Sequence, residues 1–188
     1  MILASQSPRR IELMREAGYD FAVAPADIDE TALEGEGPFE LVERLARAKA
    51  AAIAETRAEP GEVVVAADTI VALDGELLGK PADADDARRM LHALSGRTHQ
   101  VATGVCIARD GRSESFVEVT DVVFYKLADG EIDAYVQTGE PMDKAGAYGI
   151  QGAGGRMLVK KLDGDFYNVM GLPIARVVRK IRSIQQQG

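Results

Sequence analysis

The segment 63–73 constrains the fold most, because it consists mainly of valine, alanine and isoleucine. Such a run predicts a β-strand that is apolar on both faces, and a strand of this kind lies inside a sheet that is covered on both sides. Asp68 breaks the run, and a carboxylate there is costly to bury unless it is paired, binds a metal or lies at the strand's end. We therefore interpret Asp68 as a functional group, suited to act as a base or as a ligand of a hard metal ion.

Helix and strand signals alternate along the chain. The predicted strands are 2–4, 21–24, 63–73, 98–108, 116–127 and 157–162, and the predicted helices are 8–18, 38–58, 83–94, 129–139 and 171–184. Asp-Gly turns at 74–75, 110–111 and 163–164 predict hairpins, which a purely parallel sheet lacks. The predicted fold class is α/β, with a mixed β-sheet and flanking helices.

The length of the chain limits the number of domains, and its net charge argues against some classes of binding partner. The 188 residues fit one domain or two intimately packed lobes. Thirty acidic residues against 22 basic ones give a net charge of −8, which disfavours nucleic acid and anionic membranes as partners. We expect neither a membrane-spanning helix nor a secretory leader, and the lone Cys106 fits a reducing, cytoplasmic location. We expect the terminal residues 185–188 to be frayed.

The segment 5–10 is the first candidate site. A strand is predicted to pass into a helix here, so the hydroxyls of Ser5 and Ser7 and the guanidinium groups of Arg9 and Arg10 converge on free backbone N–H groups. Such a site binds phosphate or carboxylate. In the alternative interpretation, Ser7 only caps the helix and the arginines lie on the surface. Two cations in the first turn oppose the helix dipole, which favours an anion nearby.

Three further positions depart from their local pattern. Lys49 falls on the apolar stripe of the helix 38–58, so its ammonium group either reaches solvent along the helix surface or meets an anionic partner. Gln151 lies in a glycine-rich loop that either is purely structural or lets the backbone approach a flat ligand. His99, in a predicted strand, is expected to be a hydrogen-bonded structural histidine.

Short motifs in a fixed order point to a family, although the common nucleotide and zinc signatures are absent. The motifs are SQSPRR, ERLARAKA, AADTIV, GKP, SGRTH, KAGAYGIQG and GDFYNVMGLP. With these motifs the sequence resembles the Maf family of nucleoside triphosphate pyrophosphatases over nearly the whole chain. The resemblance implies one domain over residues 1–188, with an elongated mixed sheet and two lobes around a central cleft, as in the inosine triphosphate pyrophosphatases. It also implies hydrolysis between the α and β phosphates, which releases pyrophosphate.

The resemblance assigns roles to individual residues. Asp68 matches the proton acceptor of the family, and Glu30 matches a carboxylate that, with Asp68, helps to hold Mg²⁺ or a similar divalent ion such as Mn²⁺ or Co²⁺. The residues that match the triphosphate-binding groups are Ser7, Arg10, Lys49 and Lys80, and the anion site described above adds Ser5.

Three positions track substrate choice in this family, and here they are Arg9, Thr69 and Gln151. This set resembles that of the dTTP/UTP pyrophosphatases, whereas relatives acting on 7-methylguanosine triphosphate carry an aromatic residue at the first position and a carboxylate at the third. A neutral thymine or uracil suits the amide of Gln151, whereas a cationic purine suits an aromatic face and an anion. The alternative functions are a nucleotide-binding regulator of septum formation without turnover, and a pyrophosphatase of a different nucleotide such as 7-methylguanosine triphosphate. The resemblance also implies a homodimer.

Overall fold

The computed structural model describes residues 1–186 and bears out the predicted α/β class. The strands are β1 (Ile2–Leu3), β2 (Ala22–Val23), β3 (Val64–Leu73), β4 (Glu76–Leu78), β5 (Thr98–Arg109), β6 (Arg112–Phe124) and β7 (Val159–Asp163). The α-helices are α1 (Pro8–Glu16), α2 (Pro38–Thr56), α3 (Ala84–Leu94), α4 (Asp129–Gln137), α5 (Gly155–Leu158), α6 (Phe166–Met170) and α7 (Ile174–Gln186). Two short 3₁₀ turns, Glu140–Asp143 and Ala145–Ala147, follow α4.

The strands form one mixed sheet in the order β2-β1-β3-β5-β6-β7, with β4 paired to β3. β1 lies parallel to both β2 and β3, with Ile2 opposite Ala22 and Val64. The hairpin β3–β4 is antiparallel, as its Asp74-Gly75 turn predicted, and β5 and β6, which flank Asp110-Gly111, are neighbours in the sheet. The pair β6–β7 is also antiparallel, but the hairpin predicted at 163–164 was wrong, because this turn follows the last residue of β7 and leads into α6. A sheet that contains both kinds of pairing is the mixed sheet expected from the sequence.

The chain divides into two compact units, and the division passes through β3, β5 and β6. Within the described chain, the first unit comprises residues 1–68, 103–118 and 171–186, and the second comprises residues 69–102 and 119–170. Asp68 is therefore the last residue of its segment in the first unit, and Thr69 begins the second unit.

Small residues shape the core of the first unit. Ala46 and Ala50 of α2 pack with Ala66 of β3 and Cys106 of β5. A Cβ atom at Gly104 of β5 would collide with the carbonyl group of Val42 in α2, so the two backbones approach more closely than any other residue type allows. This close approach places the inner face of α2 directly against the sheet.

The second unit has a larger aliphatic core that surrounds a buried aromatic trio. The rings of His99, Phe124 and Tyr148 meet edge to face, with centroids 4.8 to 5.3 Å apart. His99 Nε2 lies 2.8 Å from Tyr148 Oη, which confirms the expected hydrogen-bonded structural histidine. Burial lowers the pKa of His99 to about 4.

Some elements differ from their predicted bounds. The short strand β4 and the one-turn helices α5 and α6 were not predicted. Residues 157–158 belong to α5 rather than to the predicted strand, and β6 begins at Arg112 rather than at residue 116. Three- and five-residue elements carry too little periodicity to be seen in sequence, and α6 depends on Asp165, whose Oδ1 accepts the backbone N–H of Tyr167 at 2.7 Å. Within the terminal segment predicted to fray, residues 185–186 belong to α7, and residues 187–188 lie outside the described part of the chain.

A helix that crosses a bilayer must be both long and apolar. Among residues 1–186, every helix is too short or too polar to cross a membrane.

The buried His99 predicts a pH dependence of stability. Above about pH 6.5 its imidazole is neutral in both the folded and the unfolded chain, so it adds no slope. Between pH 6.5 and 4 only the unfolded chain takes up the proton, so the free energy of unfolding falls by up to about 3 kcal/mol. Denaturant titration of the His99→Gln variant should show a smaller decrease over this range than the unsubstituted protein. His92→Gln, at an exposed site in α3, is the control, and equal slopes in all three proteins would contradict the prediction.

Candidate functional site

The passage from β1 to α1 forms one end of the candidate site in the first unit. Ser7 occupies the N-cap position of α1 and Pro8 the first turn, as predicted, but the Ser7 side chain makes no cap hydrogen bond. Instead, the buried Ser5 Oγ accepts the backbone N–H of Ser7 at 3.2 Å. No acidic residue lies in the first turn, which carries Arg9 and Arg10. The positive end of the helix dipole and two guanidinium groups therefore share this region.

Hydrogen bonds to main-chain carbonyl groups fix the position of the Arg10 side chain. Its Nε donates to the carbonyl of Gly171 at 2.8 Å, and its Nη1 donates to the carbonyl of Ala67 at 2.8 Å and to Ser5 Oγ at 3.2 Å. Burial lowers the pKa of Arg10, and the nearby charge of Asp68 partly opposes this. Arg10 thus places its positive charge beside the carboxylate of β3.

Lys49 is the centre of the site. It lies on the buried face of α2, as its spacing predicted, and its side chain is only 10% exposed. Its Nζ lies 2.6 Å from Asp68 Oδ1 and 2.6 Å from Glu30 Oε1. Of the two alternatives left open by the sequence, the structure selects the anionic partner, because the ammonium group turns inward to two carboxylates.

Asp68 lies in the middle of β3, where the burial pattern confirms a strand covered on both faces. Its side chain is 14% exposed, and the Lys49 ammonium group compensates its charge. Glu30, in the loop before α2, is 58% exposed. Glu30, Lys49 and Asp68 come from three separate segments of the chain, and the first unit brings both carboxylates within hydrogen-bond distance of the Lys49 ammonium group.

The loop that carries Glu30 is fastened to α2 by Arg44. Arg44 Nε and Nη2 donate to the two oxygens of Glu36 at 2.6 and 2.7 Å, and Nη2 also donates to the Thr31 carbonyl at 3.0 Å. Glu36 further accepts the backbone N–H of Leu33 at 3.0 Å. These bonds to Arg44 lower the pKa of Glu36 to about 2. Sequence reasoning missed this clamp, because an arginine on an acidic, partly exposed helix face has no distinctive pattern.

A divalent ion such as Mg²⁺ needs several hard oxygen ligands. Among residues 1–186, no group of three or more His, Cys, Asp or Glu side chains is placed to hold a metal by itself. Asp68 and Glu30 supply two hard oxygen ligands around one cationic position, which is occupied by the Lys49 ammonium group. Mg²⁺ commonly takes one or two protein carboxylates and completes its shell with substrate phosphates and water. The donor set therefore fits an ion that binds together with a phosphate ligand.

The other predicted site residues belong to the second unit. Thr69 follows Asp68 in β3 and is half-buried. Lys80 is exposed, and the carbonyl of the preceding Gly79 accepts the backbone N–H of Gly146 at 3.0 Å. Gln151 is half-buried in the glycine-rich loop. It stays a prediction that these three residues act together with those of the first unit.

The first unit thus supplies the groups that phosphate chemistry requires. It offers a helix N-terminus with two arginines, a buried lysine and two carboxylates, one of which is largely desolvated within a strand. Cations of this kind neutralise a polyanion, and a fixed carboxylate accepts a proton from water or holds a metal ion.

The Arg44 clamp predicts local order in the loop before α2. Arg44→Gln removes the bidentate bond to Glu36, so the peptide 27–37 should exchange its amide hydrogens several-fold faster, since the loop loses its connection to α2. Hydrogen exchange followed by mass spectrometry measures this. Arg57→Gln, at the exposed end of the same helix, should leave the peptide unchanged. Unaltered exchange in Arg44→Gln would show that the clamp does not order the loop.

Comparison with known proteins agrees with the resemblance seen in the motifs. The family described as Maf-like protein matches residues 1–184. A dTTP/UTP pyrophosphatase of Anaeromyxobacter dehalogenans strain 2CP-C is 54% identical over 186 residues, which cover 97% of this chain and 92% of that protein. Proteins of the same name from Symbiobacterium thermophilum and Bacillus pumilus are 52% and 50% identical, over 92% and 95% of their own lengths. With a match of this extent to both the family and its individual members, the chain belongs to the Maf family.

Proposed function

We propose that this protein hydrolyses dTTP and UTP to the nucleoside monophosphate and pyrophosphate. The observation that carries the proposal is the Lys49 ammonium group held between Asp68 and Glu30, 2.6 Å from each. A buried lysine beside a desolvated carboxylate serves both anion binding and proton transfer. The relatives named dTTP/UTP pyrophosphatase match over nearly their whole length, which supports this substrate class.

The triphosphate would be bound by the positive groups at the start of α1 and by Lys49. The hydroxyls of Ser5 and Ser7 and the guanidinium groups of Arg9 and Arg10 lie at or next to the positive end of the helix dipole. The family resemblance adds Lys80 to this set. Because the chain carries a net charge of −8, such a local cluster of cations is needed to attract a polyanion.

Asp68 would act as the general base. Lys49 holds Oδ1 of the carboxylate, and the strand backbone holds the residue on both sides, so the group is oriented before substrate binds. The carboxylate takes a proton from water as the water oxygen bonds to the α-phosphorus. The bond from that phosphorus to the bridging oxygen breaks, and pyrophosphate leaves with the electron pair.

Asp68 and Glu30 are the residues that would hold a divalent ion, with Mg²⁺ proposed. When bound, the ion supplies charge neutralisation to the phosphate oxygens. Arg9, Thr69 and Gln151 are proposed to select the base, since the Gln151 amide offers both a donor and an acceptor to the N3–H and carbonyl groups of uracil or thymine.

The proposal also includes the cellular location and the oligomeric state of the enzyme. A cytoplasmic location is supported by the single Cys106, which is buried and free. Formation of a homodimer is proposed from the family resemblance.

The proposal is tested by incubating the purified protein with Mg²⁺ and a panel of dTTP, UTP, CTP and GTP, with pyrophosphate release as the measurement. We expect turnover of dTTP and UTP well above that of the other nucleotides. Binding without pyrophosphate release would overturn the catalytic assignment and favour the regulatory alternative. Equal turnover of all nucleotides would overturn the proposed substrate class.

Asp68→Asn should reduce kcat about 10²–10⁴-fold, because this is the typical contribution of a positioned base. The amide keeps the size of the side chain but cannot accept the proton from water. Asp20→Asn, at an exposed position of the same unit, is the matched control and should retain full activity. Steady-state pyrophosphate release measures the effect, with thermal unfolding as a check on folding. Near-normal turnover in Asp68→Asn would refute the role.

Gln151→Glu should weaken hydrolysis of dTTP and UTP more than it weakens binding of the phosphates. A carboxylate cannot donate a hydrogen bond to the O4 carbonyl of the base, so this carbonyl loses its hydrogen-bond donor in the variant. We expect kcat/KM for UTP to fall by at least about tenfold, while the inhibition constant of inorganic tripolyphosphate changes less than about twofold. Equal losses for every nucleotide and for tripolyphosphate would show that Gln151 only shapes its loop.

A further inference from the structure

The glycine-rich loop around Gln151 encloses two side chains that the proposed mechanism does not use. A Cβ atom at Gly152 would collide with the carboxylate of Glu140, and one at Gly154 would collide with the ring of Tyr135. At Gly155 a Cβ would meet both the Gly149 carbonyl and the Tyr135 hydroxyl. The glycines therefore make room for a tyrosine and a glutamate inside the loop.

Hydrogen bonds connect these two side chains to both ends of the loop. Tyr135 Oη accepts the backbone N–H of Gly149 at 3.2 Å and donates to Glu140 Oε1 at 2.9 Å. The Glu140 carboxylate also accepts the backbone N–H groups of Gly154 and Gly155, at 3.3 and 3.4 Å. Tyr135 is buried, which raises the pKa of its hydroxyl, so the group stays protonated and can donate to Glu140.

Gln151 lies between the two anchored ends. The N–H of Gly152 donates to the carbonyl of Gly149 at 3.0 Å, which closes a turn with Gln151 at its third position. The buried Ile150 holds the second position in the core. On the other side, Arg156 donates to the Gln151 carbonyl at 2.9 Å. The direction of the Gln151 side chain therefore depends on the backbone that Tyr135 and Glu140 hold.

We propose that Tyr135 and Glu140 are positioning residues for substrate selection, which fix the Gln151 amide in the orientation that distinguishes uracil and thymine from cytosine. This inference rests on the proposed function, because it assigns the residues to the choice of base in that reaction. A displaced amide no longer matches the donor and acceptor pattern of the base, so recognition weakens while the phosphate-binding groups of the first unit are untouched.

The test compares Tyr135→Phe and Glu140→Gln with the unsubstituted protein, using kcat and KM for UTP and for CTP. Tyr135→Phe removes the hydroxyl that joins Gly149 to Glu140, and Glu140→Gln removes the charge but keeps one acceptor oxygen. We expect KM for UTP to rise about tenfold in Tyr135→Phe and less in Glu140→Gln, since one buried hydrogen bond is worth about a factor of ten. Values for CTP, and kcat for UTP, should change less than about twofold.

Two controls match these changes at exposed positions of the same unit. Tyr125→Phe deletes a tyrosine hydroxyl, and Glu76→Gln neutralises a glutamate in β4; both should keep the ratio of kcat/KM for UTP to that for CTP. If Tyr135→Phe does not fold, Glu140→Gln carries the test alone.

The outcomes separate this inference from the proposed function. If the unsubstituted protein does not prefer UTP to CTP, both are overturned. If it does and the two variants keep its preference, the inference alone fails. An equal loss of activity with UTP and CTP would also overturn it, because that result indicates a merely structural role. Loss of preference in the variants, with full preference in Tyr125→Phe and Glu76→Gln, supports it.

Discussion

The ion pair of Lys49 with Asp68 is the interaction on which the first unit and its chemistry depend. A carboxylate in the middle of a doubly covered strand and a lysine on the inner face of a helix would each be costly if left alone. Placed 2.6 Å apart they compensate each other, and Glu30 adds a second negative group at the same distance from the ammonium. The charges of Lys49 and Asp68 are thus kept in a part of the fold where water screens them little, and electrostatic interactions with a phosphate are strengthened there.

Close packing of backbone makes this pair geometrically feasible. Gly104 lets β5 contact the backbone of α2 at Val42. Alanine side chains fill much of the remaining interface between α2 and the sheet, so the helix lies close to the strands. A larger residue in this layer would push the helix outward and move Lys49 away from β3. The small residues in this interface and the buried ion pair therefore depend on each other. Close packing of α2 against the sheet is what lets Lys49 on the helix reach Asp68 on the strand.

Loops in both units are held by side chains that the motifs did not reveal. Arg44 fastens the acidic loop through Glu36 in the first unit, and in the second unit Tyr135 and Glu140 fill the glycine-rich loop. Neither clamp was predicted, because a partly exposed arginine and a tyrosine on a short helix are both common, and their partners are decided only when the chain has folded. The glycines of the second loop were noticed in sequence as space for a ligand, whereas the structure shows that Gly152 and Gly154 accommodate the protein's own side chains.

The sequence by itself determined the alternation of helices and strands, the hairpins at the turns 74–75 and 110–111 and the position of Asp68 within an apolar strand. These features are local, since they follow from periodicity, turn chemistry and the cost of burying a charge. Tertiary structure alone decided that Lys49 turns inward, because Asp68 is 19 residues away along the chain and only packing of α2 against β3 brings their side chains together. It also decided that Arg10 binds the carbonyls of Ala67 and Gly171. These residues are 57 and 161 positions away from Arg10, so no local sequence pattern predicts the contacts.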